Sequence, residues 1–315
     1  MPYIKRPKKG SLAYWPKRRA KRIYPRIKNW PEAKEARPLG FAGYKVGMRH
    51  VIVTDTNPNS RTKGQLMSKP ITILECPPLT VFGFRCYGDN VYDVFIEKTE
   101  KNLSRKMNIP KKPKNIEEQL KKVPQKINSI NLLCHTNPVF KKKPEIFELA
   151  LGGKAEEQLK NAKEFLGKQI KINEVFKEGD YIDVVSVTKG KGFAGPVKRW
   201  GVAILGRKYQ QMARHTGALG QTEPGKVRWT VPQAGQLGFQ TRTEFNKRIL
   251  KIMDGFKVKG GFVNYGDVSE NAVFIEGSVA GSKKRLIRLR VAMRPPKTKH
   301  PVDVKTISQE SHQGL

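Results

Sequence analysis

The sequence predicts a mainly β fold, a barrel or sandwich that carries an α/β insertion and long basic extensions. Three observations predict it. Short β-branched and aromatic runs recur with turn residues between them. Helical spacing is confined to residues 101–170. Two further segments combine dense positive charge with Gly, Pro and aromatics but have no sustained periodicity.

Along the chain, "FAGYKVGMRHVIVTD" (41–55) reads as a turn and a strand. "ITILEC", "TVFGFRCY" and "VYDVFIE" follow as short strands with turn signals between them. In the insertion, "NIEEQLKKV" and "AEEQLKNAKEFLGKQI" have helical spacing, with Leu159, Ala162, Leu166 and Ile170 on one face. "EIFELAL", between them, reads as a strand. Strand character returns at "YIDVVSVT" (181–188), "AVFIEGSV" (272–279) and "KRLIRLRVAM" (284–293). In the last of these Leu286, Leu289 and Val291 do not alternate cleanly, which leaves the face assignment loose. The polar tail from Pro295 is expected to fray. The boundaries expected are a basic arm (1–38), β segments (39–100, 171–188 and 246–294), the insertion (101–170), a long basic loop (189–245) and the tail (295–315).

The chain has 315 residues, with 62 Lys/Arg against 27 Asp/Glu, a formal +35. Residues 1–37 hold thirteen Lys/Arg and two Glu, and residues 188–251 hold the same numbers, so each segment carries +11. Self-repulsion on this scale calls for an anionic partner, either nucleic acid or an acidic membrane. Segments so basic and so poor in aliphatics are expected to lack cores of their own and to be disordered until a partner orders them. Cys76, Cys86 and Cys134 are too few and scattered for a disulfide framework, and no CxxC pair points to zinc. The charged N-terminus has no following apolar run, so no signal peptide is expected, and no stretch approaches a spanning helix.

"VTKGKGFAGPVKRWG" (187–201) is the most unusual stretch. Its glycines match neither the spacing of a phosphate-binding P-loop nor GxGxxG, which argues against nucleotide hydrolysis. It reads as backbone that approaches a nucleic-acid backbone closely, or as a plain hairpin turn. His215 has Glu223 as its only local acid and no candidate nucleophile, so catalysis is not expected. Trp200 and Trp229 each follow an Arg, and Tyr14, Trp15 and Trp30 repeat the theme in the arm. Aromatics interleaved with guanidinium groups suit bases and phosphates, although a Trp is more often a core residue. Prolines 16, 25 and 31 break any continuous amphipathic helix, which disfavours membrane attachment. An RNA-modifying enzyme and a general RNA chaperone are the alternative readings.

Four blocks carry a family resemblance: "GFAGYKVGM" (40–48), "VTKGKGFAGPVKRWG" (187–201), "PQAGQLGFQTRTEFNKRI" (232–249) and "EGSVAGSKKRLIRLR" (276–290). In order and spacing they resemble the universal third protein of the large ribosomal subunit. The basic arm, the insertion and the modest length resemble the archaeal branch of that family. At the tip of the long loop many relatives carry a Trp, whereas this chain has Thr222-Glu223-Pro224, closer to the bacterial form.

The resemblance implies a closed six-stranded β-barrel of the translation-protein type, with no catalytic residues, metal or cofactor. It implies a cytoplasmic protein of the large subunit, partnered by 23S-type rRNA and other large-subunit proteins. No membrane, small-molecule substrate or obligate homo-oligomer is implied. The long loop is expected to reach towards the peptidyl transferase centre, and the protein to support early assembly. The rRNA contacts expected in the arm are Lys8, Lys9, Tyr14, Trp15, Lys17, Arg18, Arg19, Lys21, Arg22 and Arg26. Those expected in the loop are Lys189, Lys191, Phe193, Lys198, Arg199, Trp200, Arg207, Lys208, Arg214, His215, Gln221, Lys226, Arg228, Trp229, Gln236 and Arg242. Lys247 and Arg248, just beyond it, are expected to continue the contact face.

Overall fold

A computed structural model describes residues 10–110, 115–123, 126–223 and 225–311. In chain order its strands are β1 (Gly40–Thr54), β2 (Leu66–Cys76), β3 (Leu79–Gly88), β4 (Val91–Phe95), β5 (Ile127–Thr136), β6 (Ile146–Ala150), β7 (Gln169–Ile170) and β8 (Tyr181–Val187). They continue as β9 (Gly190–Ala194), β10 (Gly235–Gly238), β11 (Thr241–Phe256), β12 (Val268–Glu276), β13 (Leu286–Val291) and β14 (Asp303–Ile307). The α-helices are α1 (Ile116–Lys121), α2 (Ala155–Phe165), α3 (Ile172–Val175) and α4 (Pro196–Trp200). Contacts divide the chain into two compact units. The smaller comprises Met1–Ile23 with Val187–Arg242, and the larger comprises Tyr24–Ser186 with Thr243–Leu315.

The fold is mainly β and is built on a seven-stranded sheet of order β13-β8-β11-β12-β2-β1-β14, in which β13 also pairs with β1. The irregular alternation of β13 has a physical cause. Leu286, Ile287, Arg288, Leu289 and Arg290 are all buried, so both faces of the strand lie inside. The buried cations are therefore partnered. Arg288 Nη2 donates to the Glu148 carbonyl at 2.6 Å, and its guanidinium lies 4.0 Å from the centre of the Phe147 ring. Burial pulls this guanidinium down to about 10. Close packing also fixes Gly43 in β1, where a Cβ would lie 2.6 Å from Cys76 Sγ.

Asp183 in β8 is fully buried and pairs with Arg290 of β13, whose Nη2 lies 2.9 Å from Asp183 Oδ2. The same carboxylate accepts from Arg290 Nε at 3.1 Å, from the Asn246 amide of β11 at 3.1 Å and from the Met293 amide at 3.2 Å. Arg290 Nη1 donates in turn to the Asn29 carbonyl at 2.6 Å. One carboxylate thus ties together three strands, and its partner extends the tie to residue 29.

The insertion forms a second sheet, β4-β3-β5-β6, with β7 paired to β3. Helix α2 is clamped by the buried Gln158, which accepts from the Ile130 amide at 2.8 Å and donates to the Leu151 and Gly153 carbonyls. The sequence pattern carried this helix through Ile170. The helix ends instead at Phe165, Leu166 is its cap, Gly167 turns with φ 80°, and Ile170 lies in β7. "INSINLLCHT" (127–136) forms β5, which the sequence reading passes over because its first half is polar. The tail differs from expectation as well. Residues 303–307 form β14 against β1, with Val304 and Ile307 packed on a core that includes Val51 and Val53.

Removing one partner of a buried, hydrogen-bonded ion pair leaves an uncompensated charge at a cost of about 3–5 kcal/mol. Asp183→Ala should lower the unfolding free energy by that order in denaturant titration, whereas Asp180→Ala, a change at a partly exposed pair with Lys299, should cost no more than about 1 kcal/mol.

Candidate nucleic-acid interface

The smaller unit is organised by the turn chemistry of "KGKGFAGPVKRWG". β9 and β10 form a two-stranded antiparallel ribbon, with Phe193 opposite Gln236 and Ala194 opposite Gly235. Gly238, at φ 71°, meets β9 so closely that a Cβ would lie 2.1 Å from the Lys189 carbonyl oxygen. Pro196 opens the single-turn α4 and Gly201, at φ 67°, closes it. The root is fastened by Thr188 N donating to the Gln240 carbonyl and Gln240 N donating to Thr188 Oγ1.

Arg199 and Trp200 pin α4 to the returning chain. Arg199 Nε donates to the Gln236 carbonyl at 3.1 Å, and its Nη1 donates to the Gln233 carbonyl at 2.8 Å. Trp200 Nε1 donates to the same Gln233 carbonyl at 2.7 Å. The indole of Trp15 stacks on Trp200 with centroids 4.6 Å apart, and Trp229 meets Trp15 edge-on at 5.3 Å. Lys17 Nζ lies 3.7 Å from the centre of the Trp200 ring. Nearby, Ala20 N donates to the Phe239 carbonyl and Arg242 covers the Tyr14 ring at 4.5 Å. The basic segments were expected to have no core of their own. In the structure they hold an aromatic stack rather than a core: Trp200 is buried, Trp15 is half-buried and Trp229 is exposed.

The cations here crowd one another. Burial is the main cause that lowers the Lys17 ammonium below its usual value, and the positive charges of Arg199 and Arg242 add to it. Burial lowers Arg199 as well. The result is a partly buried, crowded cluster of cations.

The expected contact residues fall into three groups. Arg18, Arg19, Lys21, Arg22, Lys189, Lys191, Lys198, Arg207, Lys208, Arg214, His215, Gln221, Lys226 and Arg228 are exposed, and none of these cations has an ion-pair partner among the described residues. Tyr14, Phe193 and Trp229 are exposed by 54%, 80% and 64%, enough to offer a ring face. Others are engaged internally. Trp15, Lys17, Arg199, Trp200 and Arg242 make the contacts above, and the Gln236 amide donates to the Leu237 and Gly238 carbonyls. In the larger unit Arg26 pairs with Glu148, Lys247 pairs with Glu244, and Arg248 donates to the His300 and Pro301 carbonyls. Lys8 and Lys9 lie outside the described residues.

Sequence reasoning passed over Tyr209, which is 60% exposed within a 3-10 turn at Arg207–Met212. The signal for it was present, since Tyr209 directly follows Arg207 and Lys208. Among the described residues there is no cluster of His, Cys, Asp and Glu able to hold a metal ion, and no helix is long and apolar enough to cross a membrane.

The chain matches the family model for ribosomal protein L3 over residues 1–314. It is 45% identical to the large ribosomal subunit protein uL3 of Methanococcus aeolicus, with 98% of each chain covered. It is 46% identical to the corresponding protein of Methanocaldococcus jannaschii, over 99% of this chain and 98% of that one. The protein of the same name from Archaeoglobus fulgidus is 44% identical, again with 98% of each covered.

Truncating a packed indole to alanine costs about 3–5 kcal/mol where the site cannot collapse. Trp200→Ala should therefore raise amide hydrogen exchange at Arg199, Gly201 and Gln236 by at least 100-fold. Trp200→Phe, which keeps a stacking ring but loses the indole donor, should raise it less.

Proposed function

The chain belongs to the ribosomal protein L3 family, and from that premise we propose that it binds 23S-type rRNA mainly through its smaller unit. The arm and the long excursion penetrate the RNA. The excursion reaches towards the peptidyl transferase centre and influences the path of aminoacyl-tRNA. The protein supports early assembly of the large subunit in the cytoplasm, contacts neighbouring large-subunit proteins, and performs no catalysis of its own. The strands β1, β2, β12, β11, β8 and β13 close into a six-stranded barrel of the translation-protein type; the pairing of β13 with both β8 and β1 supports that closure.

The observation that carries this reading is the composition of the smaller unit. Its exposed cations have no ion-pair partner among the described residues, it also exposes the rings Tyr14, Phe193 and Trp229, and hydrogen bonds from Arg199 and Trp200 to the Gln233 carbonyl hold the frame. Neutralised phosphates supply the affinity, and rings that take up unstacked bases supply the preference. Thr222 and Glu223 replace the tip Trp of many relatives. Glu223 brings a negative charge to that tip, so the closest approach there relies on backbone and on Gln221 and Lys226.

Filter binding to an rRNA fragment across a salt series tests the proposal. Affinity should fall steeply with salt, with a slope of about −0.7 to −0.9 per neutralised phosphate. Phe193→Ala and Trp229→Ala should each weaken binding by roughly 1–3 kcal/mol with little change in slope. A flat salt dependence, or equal affinity of the variants and the wild type, would overturn it.

A further inference from the structure

We infer that the insertion carries a second RNA-contacting surface, separate in kind from the first, which grips the phosphate backbone of an RNA duplex. This rests on the reading of the protein as RNA-binding and extends it to a part of the chain that reading leaves idle. Residues 98–143 hold thirteen Lys/Arg against three Glu, a net +10 within 46 residues, nearly that of each basic extension.

The structure brings part of this charge together. The 3-10 turn Lys101–Arg105 precedes Lys106 and follows Lys98. Asn102 Nδ2 donates to Asn137 Oδ1 at 3.2 Å, which joins the turn to the connection between β5 and β6. That connection carries Lys142 and Lys143. Lys98, Lys101, Arg105, Lys106, Lys142 and Lys143 are all exposed, and none has an ion-pair partner among the described residues. Lys141 is different: its Nζ pairs with the buried Glu145 at 2.7 Å, so it anchors the connection.

The turn is held firmly. Leu103 is fully buried in a small core with Phe82 and Leu133, against which Phe95, Met107 and Ile109 pack. Glu100 Oε2 lies 4.0 Å from the buried His135 Nε2, and Thr80 Oγ1 donates to Glu100 Oε1 at 3.3 Å. A satellite core that pins an exposed cationic turn spares much of the ordering cost when an anion docks.

The surrounding chemistry selects the partner. The patch exposes no aromatic ring; Val139 is its one strongly exposed large apolar side chain among the described residues. Single-stranded recognition needs stacking platforms, whereas an A-form duplex is held through backbone and shape. Unpaired Lys and Arg on a fixed frame suit phosphates spaced along such a duplex. The smaller unit, with its exposed Tyr14, Phe193 and Trp229, has the opposite character.

The test uses the full-length protein and two variants. In the patch variant Lys98, Lys101, Arg105, Lys106, Lys142 and Lys143 become Gln. In the loop variant Lys189, Lys191 and Lys198 become Gln and Phe193 becomes Ala. Probes are a blunt RNA duplex of about 16 base pairs, a span that a shape-reading module covers, a single strand of equal length, and polyglutamate. The patch variant should lose at least 10-fold in duplex affinity, shed roughly 3–5 from the salt slope, and hold the single strand within about 3-fold of wild type. Changing the same six positions to the other cation, Lys to Arg and Arg to Lys, should restore duplex binding, which separates charge from misfolding. If the patch variant binds duplex as wild type does while the loop variant loses single-strand affinity, the patch inference falls and the loop reading stands. If polyglutamate binding drops in the patch variant and duplex binding does not, the partner is an acidic protein and the inference is overturned. If no RNA binds better than polyglutamate, both readings fall.

Discussion

The buried pair of Asp183 and Arg290 is the constraint on which the arrangement rests. Asp183 lies four residues before Val187, where the central segment of the smaller unit begins, and Asn246 lies four residues after Arg242, where it ends. A carboxylate taken out of water needs its lone pairs filled, and here two guanidinium nitrogens and two backbone amides fill them. Those donors come from β13, from β11 and from the chain just past β13. The register of the strands that deliver the excursion and receive it is therefore fixed by one carboxylate. Arg290, by donating to the Asn29 carbonyl, applies the same constraint to the later part of the basic arm.

The smaller unit meets two demands that pull against each other. It carries a dense positive charge, and it must hold a shape. It divides the labour among its residues. Arg199 and Trp200 turn inward and satisfy backbone carbonyls, and Trp15 stacks on the indole. Most lysines and arginines of this unit are exposed, without ion-pair partners among the described residues. Burial, and after it the positive charges of Arg199 and Arg242, hold the Lys17 ammonium below its usual value.

Much of this was legible in the sequence. Turn residues and β-branched runs located β1, β2, β3, β4 and β8, and the charge partition located the basic extensions. What was not legible has physical causes. β13 hid its periodicity because both of its faces are buried, with Arg288 and Arg290 inside on hydrogen bonds that composition cannot anticipate. β5 hid behind Asn128, Ser129 and Asn131, polar residues at one end of a strand whose other end is core. The end of α2 was misplaced because Leu166 and Ile170 continue an apolar spacing after Gly167 has already turned the chain. β14 is a strand only because β1 extends far enough to pair with it. In the candidate site the residue types were right in kind, but sequence could not separate outward cations from Arg199, whose guanidinium is occupied by Gln233 and Gln236.

The proposed function has this chain held in the large subunit by elements that penetrate its RNA. Sedimentation of cell extract through a sucrose gradient in high salt, with an antibody to this chain, tests it most directly. Co-migration with the large subunit after the wash is expected, because penetrating segments cannot leave by screening of surface charge alone. Release to the top of the gradient with the subunit intact would contradict it.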